Sequence, residues 1–404
     1  MHSDRAHICH IATTFNMKSG SAKRTADILN GCVRNKYHAT LITGRDFDVT
    51  EKNLPGVNII VVPQLFKYIS VKNDISALWK LINILRKIKP DIVHTHLAKA
   101  GILGRVASKI NSIPCIIHTV HGPTFAKGIS PVKIVLFWMM EFLCRFCTDL
   151  FVFVGKELRE NYVRAFICRR EKTKIVRTGR TDKEFLYFSG SQQQDSRELR
   201  RGLCKGKDPE VLVMIVGRVV PSKQIDHAFL CIKELNRKEK KFDLAVVGEA
   251  LLEEEKLYQK KLLALAGNLE IDDCVHFTGY RKDILKVMQA ADVIVMTSKY
   301  EGLPNVAVES ALVGTPIVTY SVSGAGEVIE SGKTGFIVGN GNYEEMTRAI
   351  RTIVENPGVM AGFKENAFTH VKRKFDRRRM IEKKMSVYSN LLKKSIIKGR
   401  RNSG

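Results

Sequence analysis

Two glutamates eight residues apart, Glu301 and Glu309, bracket the turn Gly302-Leu303-Pro304-Asn305 in the stretch SKYEGLPNVAVESALVGTPIVTY, residues 298–320. Gly302 and Pro304 stop a strand and pin a tight turn. Asn305 is placed to cap a helix that begins at Val306, its side-chain oxygen reaching an orphan amide of the first turn. Glu301 then precedes that helix, and Glu309 sits one turn inside it, about 5 Å further along the axis. The free amides and partial positive charge of a helix start suit an anionic or hydroxyl-rich ligand. Two carboxylates so placed can take separate hydroxyl groups of one extended ligand. The same spacing also describes a strand–turn–helix unit with two solvated glutamates, and spacing alone does not separate the two.

Cations recur at similar junctions. Gly217-Arg218 closes the run EVLVMIVG, and Pro221-Ser222-Lys223 follows before a helix. Arg218 offers a planar fork and Lys223 a point charge, a combination that suits a diphosphate. Gly20, after the first apolar run, lets backbone amides approach a phosphate. His121 follows the run CIIHTV directly and precedes Gly122, so it stands at the carboxyl end of a sheet strand. His94 and His96 alternate on one strand face as a metal pair would, but no third ligand is near them in sequence, and no metal is expected. Cys144 and Cys147 form a lone CxxC, without the second pair a zinc site needs.

Short apolar runs alternate with helical patterns along the chain, which implies α/β architecture with parallel sheets covered on both faces. A first set of runs includes 7–14, 39–43, 57–62, 91–96, 115–120 and 150–154, with helices over 75–88 and 98–110 among them. A polar stretch at 189–209 has little to bury and reads as a linker. A second set follows: 210–217, 243–248, 275–279, 292–296, 315–320 and 335–338. The expected organisation is an N-terminal domain at 1–188, the linker, a C-terminal domain at 210–374 and a basic helical tail at 375–404. The tail's apolar stripe is Met380, Met385, Tyr388, Leu391 and Leu392. It either packs back on the body or lies on a membrane surface. The segment 131–147, PVKIVLFWMMEFLCRFC, is apolar almost all round and too short for a span. It is either a core helix or a helix in a membrane interface.

Lys plus Arg number 66 against 41 Asp plus Glu, a net charge of +25. Such a surplus favours nucleic acid, anionic lipid or phosphorylated substrates. No zinc finger, ribonucleoprotein motif or heptad-linked basic region is present, so an anionic bilayer is the better partner and nucleic acid is not expected. The first residues lack a signal-peptide core, and the nine scattered cysteines read as reduced, so the chain is expected in the cytoplasm.

Together these segments resemble glycosyltransferase family 4, retaining nucleotide-sugar transferases of the GT-B fold. VGRVVPSKQIDHAF resembles the family's phosphate segment, and residues 298–329 its Glu-x7-Glu segment. SGKTGFIV, DIVHTHLAKAGILGR, HTVHGPTF and VFVGKELREN extend the likeness over nearly the whole chain. The resemblance implies two tandem doubly wound, Rossmann-like domains with an interdomain cleft, the N-terminal one on the acceptor side and the C-terminal one binding the donor. It implies Arg218 and Lys223 on the donor diphosphate, Glu309 on the ribose, and Glu301 facing the sugar with the amides of Gly302, Leu303, Pro304 and Asn305. His121 would contact the sugar beside the reacting carbon, and Gly20 would let the first loop close over the phosphates. The implied activity is transfer of a hexosyl or N-acetylhexosaminyl group from a nucleotide-diphosphate sugar, a UDP-sugar, to a lipid-linked saccharide for surface polysaccharide. No further cofactor is implied, and the enzyme would be peripheral on the inner face of the cytoplasmic membrane. A soluble acceptor and a non-catalytic anion-binding role are the alternatives. The chain departs from the family's pattern at Ser19-Gly20-Ser21, Gln224, Gly248-Glu249-Ala250 and Thr178-Gly179-Arg180-Thr181, and the basic Arg180 has no evident role.

Overall fold

The computed structural model describes residues 5–17, 19–66, 68–123, 131–180, 193–237 and 241–402. The expected boundary at 188, Thr181, and Thr124 and Phe125 of the HTVHGPTF motif lie outside the described residues, as do the side chains of Lys398, Arg400 and Arg401. The chain divides into two compact units: unit 1 takes residues up to Gly179 and from Arg377, and unit 2 spans Arg180–Asp376.

Unit 1 is built on seven parallel strands: β1 (His7–Ala12), β2 (His38–Thr43), β3 (Val57–Val61), β4 (Ile92–His96), β5 (Cys115–Val120), β6 (Leu150–Phe153) and β7 (Thr173–Ile175). Their order is β3-β2-β1-β4-β5-β6-β7. The strands are apolar runs rather than alternating ones because helices cover both faces. The Ala98–Ile110 helix packs closely on the sheet through glycines: a Cβ at Gly101 would meet His118 Cε1 at 2.5 Å, and one at Gly104 would meet Thr95 Cγ2 at 2.8 Å. The Arg377–Asn402 helix packs with the Gly20–Arg34 helix, burying Met380, Met385 and Tyr388. The tail's apolar stripe is therefore part of unit 1's core.

Unit 2 repeats the plan with β8 (Val211–Val216), β9 (Phe242–Val247), β10 (Val275–Gly279), β11 (Val293–Met296), β12 (Ile317–Tyr320) and β13 (Phe336–Val338). The order β10-β9-β8-β11-β12-β13 reverses direction between β8 and β11, the switch point at which such sheets bind ligands beyond their carboxyl ends. Within the polar stretch 189–209, residues Gln193–Leu203 form a helix. Arg200 holds Asp292 at 2.9 Å and also donates to the carbonyl of Pro209 at 2.9 Å, while Leu203 and Cys204 are buried. Charge pairing and two apolar anchors order a segment whose composition alone suggested a linker.

The Pro131–Cys144 helix inverts the usual pattern. Its one acidic residue, Glu141, faces inward and takes both oxygens to Arg105 Nη2 at 2.9 Å, each side chain fully buried. Its apolar residues face out: Val132 is 77% exposed, Val135 62% and Leu143 58%. Removing one partner of a buried pair leaves an uncompensated charge. Glu141→Ala is therefore expected to lower stability by about 3–5 kcal/mol in urea unfolding of the full chain. The double change Arg105→Met with Glu141→Leu should recover most of it; equal loss in both would show that the charge pairing is not what holds the helix.

Candidate active site

At the switch point of unit 2, four of the predicted side chains stand in ion pairs. Lys223 Nζ lies 2.7 Å from Glu301 Oε1, both about one-fifth exposed. The two segments that carry them are stitched by backbone: Thr297 Oγ1 donates to the Lys223 carbonyl at 2.6 Å, and the Lys299 amide donates to the Ser222 carbonyl at 2.8 Å. Gly217 makes room for this, since a Cβ there would sit 3.2 Å from Lys223 Cε. Gly248 is equally constrained: its φ is +151°, and a Cβ would meet the Gly217 carbonyl oxygen at 1.8 Å. The ends of the neighbouring parallel strands β8 and β9 thus approach each other on bare backbone next to Arg218.

Arg218 points its guanidinium out, 55% exposed, and donates to Glu255 Oε1 at 3.0 Å. The other oxygen of Glu255 accepts from the amide of Leu251 at 2.8 Å, ahead of the Glu253–Asn268 helix. Glu309 is buried at 9% exposure and pairs through Oε1 with Arg180 Nη2 at 3.0 Å. The Arg180 amide donates to the Phe375 carbonyl at 2.7 Å, which fixes where the guanidinium starts. Arg180, without a role in the sequence reading, orients the carboxylate expected to bind ribose. Glu255 was missed altogether, because nothing near it in sequence marks it as the partner of a residue 37 positions away.

Asn305 is corrected. It is the first residue of the Asn305–Val313 helix, and Pro304, with φ −72° and ψ 99°, is the cap. The fixed proline ring sets the entry to the helix, so no side-chain cap is needed. Gly302, Leu303 and Pro304 are buried in the turn between Glu301 and this helix. Gln224, where the resemblance leads one to expect glycine, holds φ +44° and ψ 52°. It pays the left-handed penalty that glycine avoids.

In unit 1, Gly20 is the first residue of the Gly20–Arg34 helix, whose cap Ser19 accepts from the Ala22 amide at 3.2 Å. His121 follows β5 at its carboxyl end and is engaged at both ring nitrogens. Arg24 Nη1 lies 3.1 Å from Nδ1, and His96 Nδ1 lies 3.0 Å from Nε2. His10 Nδ1 stands 2.9 Å from His96 Nε2, so the third neighbour that His94 and His96 lack in sequence comes from β1. Burial holds the five imidazoles of His10, His94, His96, His118 and His121 below their ordinary range, His10 to about 3. Lys384, on the last helix, is lowered to about 7 by burial and then by Arg24. A second buried group, Cys204, Asp243 and His276, draws its Asp and His from the amino-terminal halves of β9 and β10, away from the ligand edge. There His276 Nε2 is 2.6 Å from Asp243 Oδ1, a structural pair.

Among solved structures the chain is similar to HepE of Anabaena in complex with UDP-glucose, with a TM-score of 0.79 at 21% identity over 95% of this chain and 99% of that one. It is also similar to sucrose-phosphate synthase of Thermosynechococcus elongatus, at 0.81 and 20% over 96% and 99%. At such identity the likeness is one of fold, and the fold is GT-B, two Rossmann-like domains. The profile described as Glycosyl transferases group 1 matches residues 195–370, and that described as Glycosyltransferase Family 4 matches residues 18–182. Two relatives are a UDP-Gal:alpha-D-GlcNAc-diphosphoundecaprenol alpha-1,3-galactosyltransferase of Escherichia coli and the capsular polysaccharide biosynthesis glycosyltransferase CapM of Staphylococcus aureus. The first is 26% identical over 80% of this chain and 81% of the relative, the second 25% over 81% and 84%. Fold, profiles and relatives together define a glycosyltransferase of the GT-B class. The chain belongs to glycosyltransferase family 4.

Two measurements test these local arguments. Gln224→Gly should raise stability by about 1 kcal/mol in chemical denaturation, the left-handed strain removed less the entropy glycine adds to the unfolded chain. The five histidines have lowered pKa values in the fold and Lys384 is lowered to about 7, so the unfolded chain binds more protons than the folded one below about pH 6.5 for the former and between about pH 10 and 7 for the latter. Stability is thus fully present above those unfolded values and is lost as pH falls. Thermal unfolding followed from pH 8 to 5.5 should show a steep decline below 6.5, on the order of 1 kcal/mol per buried histidine per pH unit. A flat profile would mean that these rings are charged in the fold.

Proposed function

We propose that this enzyme transfers a sugar, with retention, from a UDP-sugar to a lipid-linked saccharide in cell-surface polysaccharide synthesis, at the inner face of the cytoplasmic membrane and without a resident cofactor. The observation that carries the donor half is the ion pair of Lys223 with Glu301 at the switch point of unit 2, beside Arg218 and the Asn305–Val313 helix start. An incoming diphosphate competes for Lys223 and frees Glu301 to meet a sugar hydroxyl. As the glycosidic bond breaks, charge develops on the diphosphate. Arg218, Lys223 and the helix start can take up that charge. Glu309, held by Arg180 through one oxygen, keeps the other for the ribose. Glu301 is tied to Lys223 and orients the sugar rather than attacking it. The E. coli relative's name couples UDP-galactose to a diphosphoundecaprenol acceptor, CapM's places it in capsule synthesis, and HepE is solved with UDP-glucose, which supports the choice of donor and acceptor class.

The membrane half rests on the inverted Pro131–Cys144 helix. Val132, Val135, Leu136, Met139 and Leu143 are exposed, and Phe146 and Phe166 stand 67% and 74% exposed beside them. Arg145 lies over Phe142 and Phe146, and Lys156, Arg164, Arg169 and Arg170 are exposed in the following segment. Apolar side chains rimmed by cations suit an anionic bilayer surface. Among the described residues no helix is long and apolar enough to cross a membrane.

Transfer assays across nucleotide sugars should show a UDP-sugar as donor. Arg218→Ala should lower kcat about a hundredfold, the scale for losing one preorganised donor to developing charge, and Glu309→Ala should chiefly raise the donor KM. Unchanged transfer in both would remove the site. The full chain should float with vesicles containing anionic phospholipid, and Val135→Asp with Leu143→Asp should abolish flotation without lowering the unfolding midpoint. Flotation that survives the double change would remove this face, and no flotation by the parent would favour a soluble acceptor.

A further inference from the structure

We propose that Cys204, Asp243 and His276 form a zinc site in unit 2, one that ties the turn after the Gln193–Leu203 helix to the amino-terminal ends of β9 and β10. The site lies at the end of the sheet opposite the ion pairs of the candidate active site, and it does not depend on the reaction assigned there.

The three residues converge from distant points of the chain. Asp243 is the second residue of β9 and His276 the second of β10. The two strands run parallel, with His276 in register with Ala245. Side chains alternate along a strand, so Asp243, Ala245 and His276 share one face of the sheet. Cys204 directly follows the Gln193–Leu203 helix, and its amide donates to the Arg200 carbonyl at 3.0 Å, which closes the helix's last turn against that face. One ligand atom from each residue lies within 4.8 Å of the other two. Three points so spaced share a centre no more than about 2.8 Å from each, so zinc bonds of ~2.0–2.3 Å need movements of about half an ångström.

The donor set matches the ion. A thiolate, an imidazole and a carboxylate together suit a borderline-soft dication, and zinc is the common one. Cys204 and His276 are buried, at 0% and 2% exposure. His276 Nε2 is 2.6 Å from Asp243 Oδ1, while Nδ1 is buried without a hydrogen-bond partner. The ring thus has one nitrogen more than its pair with Asp243 uses, and a polar atom left bare in a dry interior is costly. Zinc held by Cys204 and a nitrogen of His276 keeps Asp243 beside it, as a ligand or as the carboxylate that orients the ring. In both arrangements one thiolate and one carboxylate balance the dication. Burial, and then the Asp243 carboxylate, hold the Cys204 thiol up at about 12, and coordination displaces its proton to solvent. Cys274 is near, but its thiol donates to Asp273 Oδ1 at 3.2 Å and is not one of the three converging atoms. Water takes the fourth position from the side where the Asp243 side chain is 11% exposed.

The surroundings allow the charge. Arg200 and Lys207 act on the thiol, and both are already engaged, Arg200 with Asp292 at 2.9 Å and Lys207 with the Asp273 carbonyl at 2.7 Å. The other convergent group, His10, His94 and His96, differs in kind. It offers three neutral rings and no anion, and Lys384 already works against positive charge there. The place also gives the metal something to do. β10 is an edge of the sheet, paired only with β9, and the helix over it belongs to a polar stretch with two apolar anchors. A cation shared by the turn and two strands fastens both.

The full chain, loaded with zinc and dialysed against zinc-free buffer, should keep stoichiometric zinc by atomic emission. Cobalt in its place should show the intense near-ultraviolet absorption of a thiolate–cobalt bond. Cys204→Ser should lose that absorption, and Cys204→Ser and His276→Gln should each retain at least about tenfold less zinc. Cys231→Ser, at a buried thiol elsewhere in unit 2, should change neither. Zinc should raise the urea midpoint of the parent and not that of Cys204→Ser, since an ion that binds the folded chain stabilises it by mass action. Circular dichroism reports whether each variant is folded, and for one that is not, the parent's cobalt spectrum decides. A parent without the thiolate–cobalt absorption would overturn the site. So would zinc kept by folded Cys204→Ser, which would put the metal on another group.

Discussion

Water is excluded from the sheet of unit 1, and an ionisable group shut in there must be neutral or matched by a partner. That constraint arranges most of what surrounds the sheet. Arg105 is matched by Glu141, and this match turns the Pro131–Cys144 helix so that its charge faces in and its apolar side faces out. The rings of His10, His94, His96 and His121 hydrogen-bond to one another and to Thr119, Tyr388 and Arg24, and they stay neutral. Lys384 and Tyr388 close the set from the last helix. Unit 2 solves its polar problem differently, by keeping its ions in pairs at the sheet's carboxyl edge, where water and ligand can reach them.

The two solutions suit different tasks. Lys223 and Arg218 are exposed enough to change partners, and glutamates hold them in place meanwhile. Imidazoles in a dry stack cannot rearrange singly, because each ring's donor is fixed by the acceptor before it. Ions exposed enough to exchange partners stand at the rim of one unit, and neutral rings that satisfy one another stand inside the other.

Much of this was legible in the chain. The strands stood out because parallel strands buried on both faces are unbroken apolar runs, and the 98–110 helix because it lies between two of them. Arg218, Lys223 and Glu301 could be placed because each stands at a strand-to-helix junction marked by glycine or proline, and Glu309 because it lies one turn inside the helix that follows. What could not be read depends on contacts between distant residues. The pairing of Arg180 with Glu309, and of Tyr388 with His10 across 378 positions, leaves no local trace. The outward face of the Pro131–Cys144 helix was hidden for another reason: a helix apolar almost all round has no periodicity from which to choose a face. Asn305 was misplaced by one residue because a proline cap does by ring geometry what an asparagine cap does by a hydrogen bond. A lysine at the centre of the spacing Met380, Lys384, Tyr388 was the one visible sign that the last helix buries a charge-bearing group.

The last helix also ties the order of synthesis to the order of folding. The seven strands of unit 1 are all made before Arg180, but the helix that covers their histidines follows the whole of unit 2. At ordinary elongation rates that interval is roughly 10–40 s, far longer than a small domain needs to fold. For that time the nascent first unit holds a half-open sheet whose imidazoles are still hydrated, and unit 2 can become the first part of the chain to reach its final state. The polypeptide is thus completed inside out, with its earliest residues among the last to be sealed.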